Sequence, residues 1–160
     1  MKPEDVKLFD DAVARFFPII SAKVKLPLNR LQDGLYEIAS PESVMRIRLG
    51  TGHGKSVLAT IMAARDRPKD LNDASKEFGL GLVARFYGKT VQTEPAATAE
   101  EFLEQAKIVA RKADEHFVPH LLGLRDDFER MKEYVGTLVT ESGIREKKWN
   151  FPKNVREEWT

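Results

Sequence analysis

Residues 35–63 read LYEIASPESVMRIRLGTGHGKSVLATIMA. Three runs rich in aliphatic and β-branched residues, 35–39, 44–49 and 55–63, are separated by Ser40-Pro41-Glu42-Ser43 and by the glycine cluster between Gly50 and Gly54. Turn-formers between alternating runs are the signature of hairpins, so the stretch predicts a three-stranded antiparallel meander. In the middle run Met45, Ile47 and Leu49 share one face and Val44, Arg46 and Arg48 the other, which describes a strand with one buried and one wetted side. The wetted side is expected to be basic.

On the N-terminal side, Val6, Phe9, Val13 and Phe16 recur at steps of three and four, which predicts an amphipathic helix from Pro3 to about Phe17. Pro3 suits the first helical position and Pro18 opposes continuation of the hydrogen-bond ladder. Residues 19–31, with Pro27, read as a connection. On the C-terminal side, Phe78, Leu82 and Phe86 predict a helix over 75–87 that ends at Gly88, and residues 89–97 read as a loop. Thr98-Ala99-Glu100-Glu101 has the capping-box form and opens a long helix to about Val118, where Pro119 is expected to end or kink it. Asp126 and Asp127 precede a last helix bearing Phe128, Met131, Val135 and Leu138. The expected fold is therefore α+β: an N-terminal helix, the meander, then three helices in a single domain over 1–142, followed by an irregular tail over 143–160.

The chain has 160 residues, enough for one domain to bury a substantial core, and 42% hydrophobic with 32% charged residues is the balance of a folded protein. It contains no cysteine, so disulfides, thiolate metal sites and a cysteine nucleophile are excluded by inventory. The charged, proline-bearing start and the lack of any run near the roughly 18 apolar residues of a membrane span point to a cytoplasmic protein without a membrane partner. A net charge of +1 gives no global attraction to nucleic acid or lipid.

Gly50-Thr51-Gly52-His53-Gly54-Lys55-Ser56 is the motif nearest to chemistry, because a strand, a glycine-rich loop and Lys-Ser resemble a phosphate-binding loop. Such a loop needs four residues between its first glycine and the Gly-Lys pair to wrap backbone N–H groups around phosphates; three separate Gly50 from Gly54. A flexible hairpin turn is the simpler reading, and a nucleotide-using enzyme the alternative. Arg46, Arg48, His53 and Lys55 gather positive charge around the meander, a candidate surface for an anion, a partner protein or a nucleic-acid backbone; no aromatic residue interleaves, so nucleic acid is disfavoured. His116 and His120 are spaced for one helical face, but Pro119 stands between them and a third metal ligand is not evident, so no metal and no cofactor is expected. The carboxylates belong to helix starts and solvated faces, and no serine has an identifiable base, so no catalytic residue is assigned. Trp149, Phe151 and Trp159 lie in the charged tail, where aromatics mark a contact patch.

The N-terminal helix, LYEIASPESVMRIRLGTGHGKSVLATI, EFGLGLVARFYG and HLLGLRDDFERMKEY together resemble small bacterial α+β proteins, some proposed as immunity partners of polymorphic toxins. The likeness covers residues 3 to 138 and rests on element order, and no catalytic residue is carried across with it. It implies a non-enzymatic protein that neutralises or accompanies another protein.

Overall fold

The structure is a computed structural model that describes residues 1–142 apart from His53. The expected tail, with Trp149, Phe151 and Trp159, lies outside the described residues. Five antiparallel strands form one sheet in sequential order: β1 (Asn29–Gln32), β2 (Leu35–Ala39), β3 (Ser43–Gly52), β4 (Gly54–Ala63) and β5 (Phe78–Gly79). The three central strands are those the alternation predicts. The meander has two further, short edge strands, because Arg30 pairs with Tyr36 across a tight turn at Gly34 and Gly79 pairs with Thr60.

Helices α1 (Pro3–Phe16), α2 (Pro18–Val24) and α4 (Ala99–Leu121) cover one face of the sheet. Met45, Ile47 and Leu49 of β3 and Val57, Ala59 and Ile61 of β4 meet Phe9, Val13, Ile20, Phe102, Ala106, Val109 and Phe117 in one buried core. The expected inward face of β3 is therefore the observed one. Two sequence expectations near prolines are corrected. Pro18 does stop α1, but it also occupies the first position of α2, where its missing N–H costs nothing, so residues 18–24 are helical rather than a connection. Pro119 sits in the last turn of α4 without ending it, and the helix runs on to Leu121.

Thr98 caps α4 as its spacing predicts, its hydroxyl accepting from the Glu101 N–H at 3.1 Å; Glu101 accepts from Ala97 N–H rather than from the cap residue itself. The helix expected over 75–87 is shorter, α3 (Leu80–Phe86), since Gly79 is extended and belongs to β5; Gly88 follows it in the left-handed region as expected. The closing helix is α5 (Phe128–Ser142). Five α-helices thus stand where four were expected among the described residues, the additional one being α2. Among those residues no helix is long and apolar enough to cross a membrane.

Thr98 supplies the side-chain cap of α4, which contributes more residues to the core than any other helix. Thr98→Ala is expected to lower the free energy of unfolding by about 1 kcal/mol, read from urea denaturation.

Candidate functional site

The second face of the sheet departs most from expectation. Glu37 of β2, Arg46 of β3 and Thr60 of β4 stand in register across three strands, and Arg48 lies two residues along. Alternation makes this face half polar and hence a wetted one in the sequence reading. It is instead roofed by residues 64–77, which leave β4 through a short 3-10 turn (Ala64–Asp66) and return at β5, beside their point of departure. This is the geometry of an Ω-loop.

Arg46 is consequently 0% exposed. Its Nε lies 3.4 Å from Glu37 Oε1 and its Nη1 3.5 Å from Glu77 Oε2. Arg48 donates to both oxygens of Glu77, at 3.0 and 2.6 Å, and to the Leu71 carbonyl at 2.8 Å. Thr60 donates to Glu77 at 2.7 Å, and Arg67 donates to Glu37. The loop is thus pinned by its own Arg67, Leu71 and Glu77, with Gln32 to Asn72 at the β1 edge. Arg46 and Arg48 are bound up inside the fold and do not form the exposed basic face that the sequence suggests.

Lys55 lies elsewhere. It faces the helical side, 3.5 Å from Asp5, and its backbone exchanges two hydrogen bonds with Ala96. His53 is outside the described residues; of the other three candidates, Arg46 and Arg48 lie together in the buried cluster and Lys55 lies on the opposite face of the sheet. The glycine motif is a β-ladder, with Gly50 opposite Ser56, Thr51 opposite Lys55 and Gly52 opposite Gly54, and the chain continues as strand where a phosphate loop would enter a helix. His116 and His120 do share the inner side of α4, but the ring nitrogens of His120 are directed to His116 O and to Asp127.

Sequence reasoning overlooks one end of the molecule. Helix α4 closes with Gly123 in the left-handed region, its N–H bonding His120 O and the Leu124 N–H bonding Pro119 O, the two bonds of a Schellman motif. The residue after the glycine in that motif commonly packs back on the helix. Here Leu124 is 74% exposed and Leu122 47%. Glu42 of the β2–β3 turn closes over Gly123, so that a Cβ there would stand 3.0 Å from its carboxylate. The Glu42 carbonyl in turn accepts from Ala64 N–H, and Arg65 reaches Glu129 of α5.

From Phe128 and Glu129, where this turn enters α5, a groove of about 280 Å³ runs between the returning limb of the Ω-loop and α5. Phe78, Phe128 and Val135 floor it, and Lys76, Glu129 and Lys132 edge it. The Phe78 and Phe128 rings stack at 6.2 Å. The groove rests on the buried charges, since Glu77 lines it and holds Arg48 on its other side. Leu122 and Leu124 flank Gly123 and leave a signal in HLLGLRDD, three leucines around a helix-ending glycine. Only burial distinguishes the two outward ones from Leu121, which is buried.

No family model, curated protein or solved structure matches the chain.

Removing one member of a buried charge cluster leaves its partners uncompensated. Arg46→Met is expected to destabilise the fold by roughly 3–5 kcal/mol, whereas combining it with Glu37→Leu, which removes a carboxylate facing it, recovers part of that loss. Urea denaturation of the single and double variants measures both.

Proposed function

We propose that this chain is a non-enzymatic protein-binding protein, and that it engages its partner with the corner formed by the α4–α5 turn and the adjoining groove. The observation that carries the reading is the exposed pair Leu122 and Leu124 on the turn that leads into Phe128 and Glu129, two residues that line an aromatic-bearing groove. Large apolar side chains clustered next to a concavity and edged by charges have the layout of an interface core with its polar rim. The groove suits one aromatic or branched apolar side chain of the partner, and the leucines suit a shallow apolar patch around it. The resemblance to immunity proteins agrees with this reading, for such a protein acts by occupying another protein rather than by turning over a substrate.

Phosphate or nucleotide chemistry at residues 50–56 receives no such support, because a paired hairpin presents no ring of free N–H donors. Nucleic-acid binding by Arg46 and Arg48 is likewise unsupported, since phosphate contacts require exposed cations.

Affinity capture with the native chain from its source cells is expected to recover a partner at fixed stoichiometry. Leu124→Asp combined with Leu122→Asp should retain the wild-type melting temperature and weaken that complex. A loss of about 2 kcal/mol corresponds to roughly thirtyfold in Kd. A native chain that captures nothing, or a double variant that binds as well as the native chain, rejects the reading.

A further inference from the structure

The leucine-bearing turn is tied to the fold by a small buried network. His120 is completely buried, and both of its ring nitrogens face oxygen acceptors: Nδ1 is 3.2 Å from the His116 carbonyl and Nε2 is 2.9 Å from Asp127 Oδ1. A neutral imidazole carries one ring proton and can donate to only one of them. With Nδ1–H donating to the carbonyl, Nε2 presents a lone pair to the Asp127 oxygen; with Nε2–H donating to Asp127, Nδ1 presents its lone pair to the His116 carbonyl. Making both contacts hydrogen bonds at once takes a second proton.

Tyr87, at the end of α3, donates its hydroxyl to Asp127 Oδ2, and the Arg125 guanidinium lies 4.1 Å above the Tyr87 ring centroid. Asp127 thus links α3, α4 and the start of α5, and residues 122–126 are the loop that this link closes. Ser43 of β3 adds a hydrogen bond to the His120 carbonyl at 2.8 Å.

We propose that a proton held between Asp127 and His120 latches the leucine turn onto the fold, so that the ionisation of this pair regulates the exposed surface. As regulation of binding the proposal rests on the reading given above, but the latch itself is measurable without any partner. The proton belongs to the carboxyl side. Burial drives the His120 imidazolium down to about 4, and burial likewise raises Asp127 above the ordinary carboxylate value. The other groups facing the pair are His116 on α4, Arg125 and Asp126 on the turn, Arg130 on α5 and Tyr87 from α3. Arg125 opposes the imidazolium and Asp126 favours it, while Arg130 favours the carboxylate, and in each case burial outweighs the charge. Loss of the carboxyl proton sets two lone pairs against each other at the Asp127–His120 contact, and the turn is released.

A carboxyl whose folded-state pKa is raised contributes stability that is present in acid and is lost as pH rises through the folded value. Asp127→Asn reproduces the protonated carboxyl, its amide N–H donating to His120 Nε2 and its oxygen accepting from Tyr87. Relative to Asp127→Asn, the wild type is expected to lose melting temperature as pH rises from the ordinary carboxyl value to the raised one, and to run parallel above it. Amide hydrogen exchange at residues 122–126, corrected for intrinsic chemistry, should show opening of the wild-type turn growing by up to about tenfold per pH unit over the same interval, and no such growth in the variant.

Equal pH dependence in the two proteins, or a variant destabilised by the same amount at every pH, overturns the latch. Should the variant fail to fold, the carbon-13 titration of the Asp127 carboxyl in the wild type decides: a midpoint above the ordinary value supports the latch, and one at or below it rejects it. None of these readouts depends on Leu122 or Leu124, so failure of the latch and failure of the binding surface are separate results.

Discussion

The structure depends on one buried arginine. Arg46 sits at the centre of the middle strand of the sheet with no exposure to solvent, and an ionised guanidinium there is tolerable only with carboxylates beside it. Glu37 supplies one from the neighbouring strand. Glu77 supplies the other from a segment that has no reason of its own to lie across a sheet. Once Glu77 is drawn in, residues 64–77 must arch over the face, and Arg67 and Arg48 complete an alternation of charge that ties the arch down at several points. Both Nη atoms of Arg46 are buried without a hydrogen bond of their own, so the cluster is held more by charge than by ideal hydrogen-bond geometry.

The two faces of the sheet are therefore covered by different physics. On the helical face, apolar side chains of α1, α2 and α4 interdigitate with alternate residues of β3 and β4, and the gain is the removal of apolar area from water. On the other face, a loop is bound by directional ion pairs and carbonyl contacts. The groove exists because of this difference. An apolar roof would pack flush, whereas a roof fixed at a few polar points leaves a channel between its returning limb and α5, floored by Phe78 and Phe128.

At the end of the molecule the same economy of contacts shapes the α4–α5 corner. Gly123 turns the chain back, Glu42 closes over it, and Asp127 reaches His120 and Tyr87, so polar contacts fix the turn between the buried Leu121 and Phe128 at its two ends. Leu122 and Leu124 are left on the outside. Packed corners normally use such leucines to close the turn, and a corner fixed by hydrogen bonds has them to spare for another surface.

Periodicity by itself determined a good part of this protein: the α+β class, the three central strands, the inward face of β3, the faces of the long helices, the Thr98 cap and the glycine after α3. These are local properties, set by the two-residue repeat of a strand, the 3.6-residue repeat of a helix and the reach of a side chain to its own backbone. Pro18 stops α1 as expected, but a proline says only that one N–H is missing, not whether that N–H was needed; at the first turn of α2 it was not, so 18–24 is helix, and in the last turn of α4 the helix tolerates its loss. The tertiary structure alone decided where Arg46 and Arg48 lie with respect to water. Alternation groups Arg46 with Glu37 and Thr60 on one face, but whether a face is wet depends on what crosses it, and Glu77 is 31 residues further along the chain. The pairing of His120 with Asp127 is equally invisible in sequence, since it requires a helix end, a left-handed glycine and a new helix to bring the two side chains within hydrogen-bond distance.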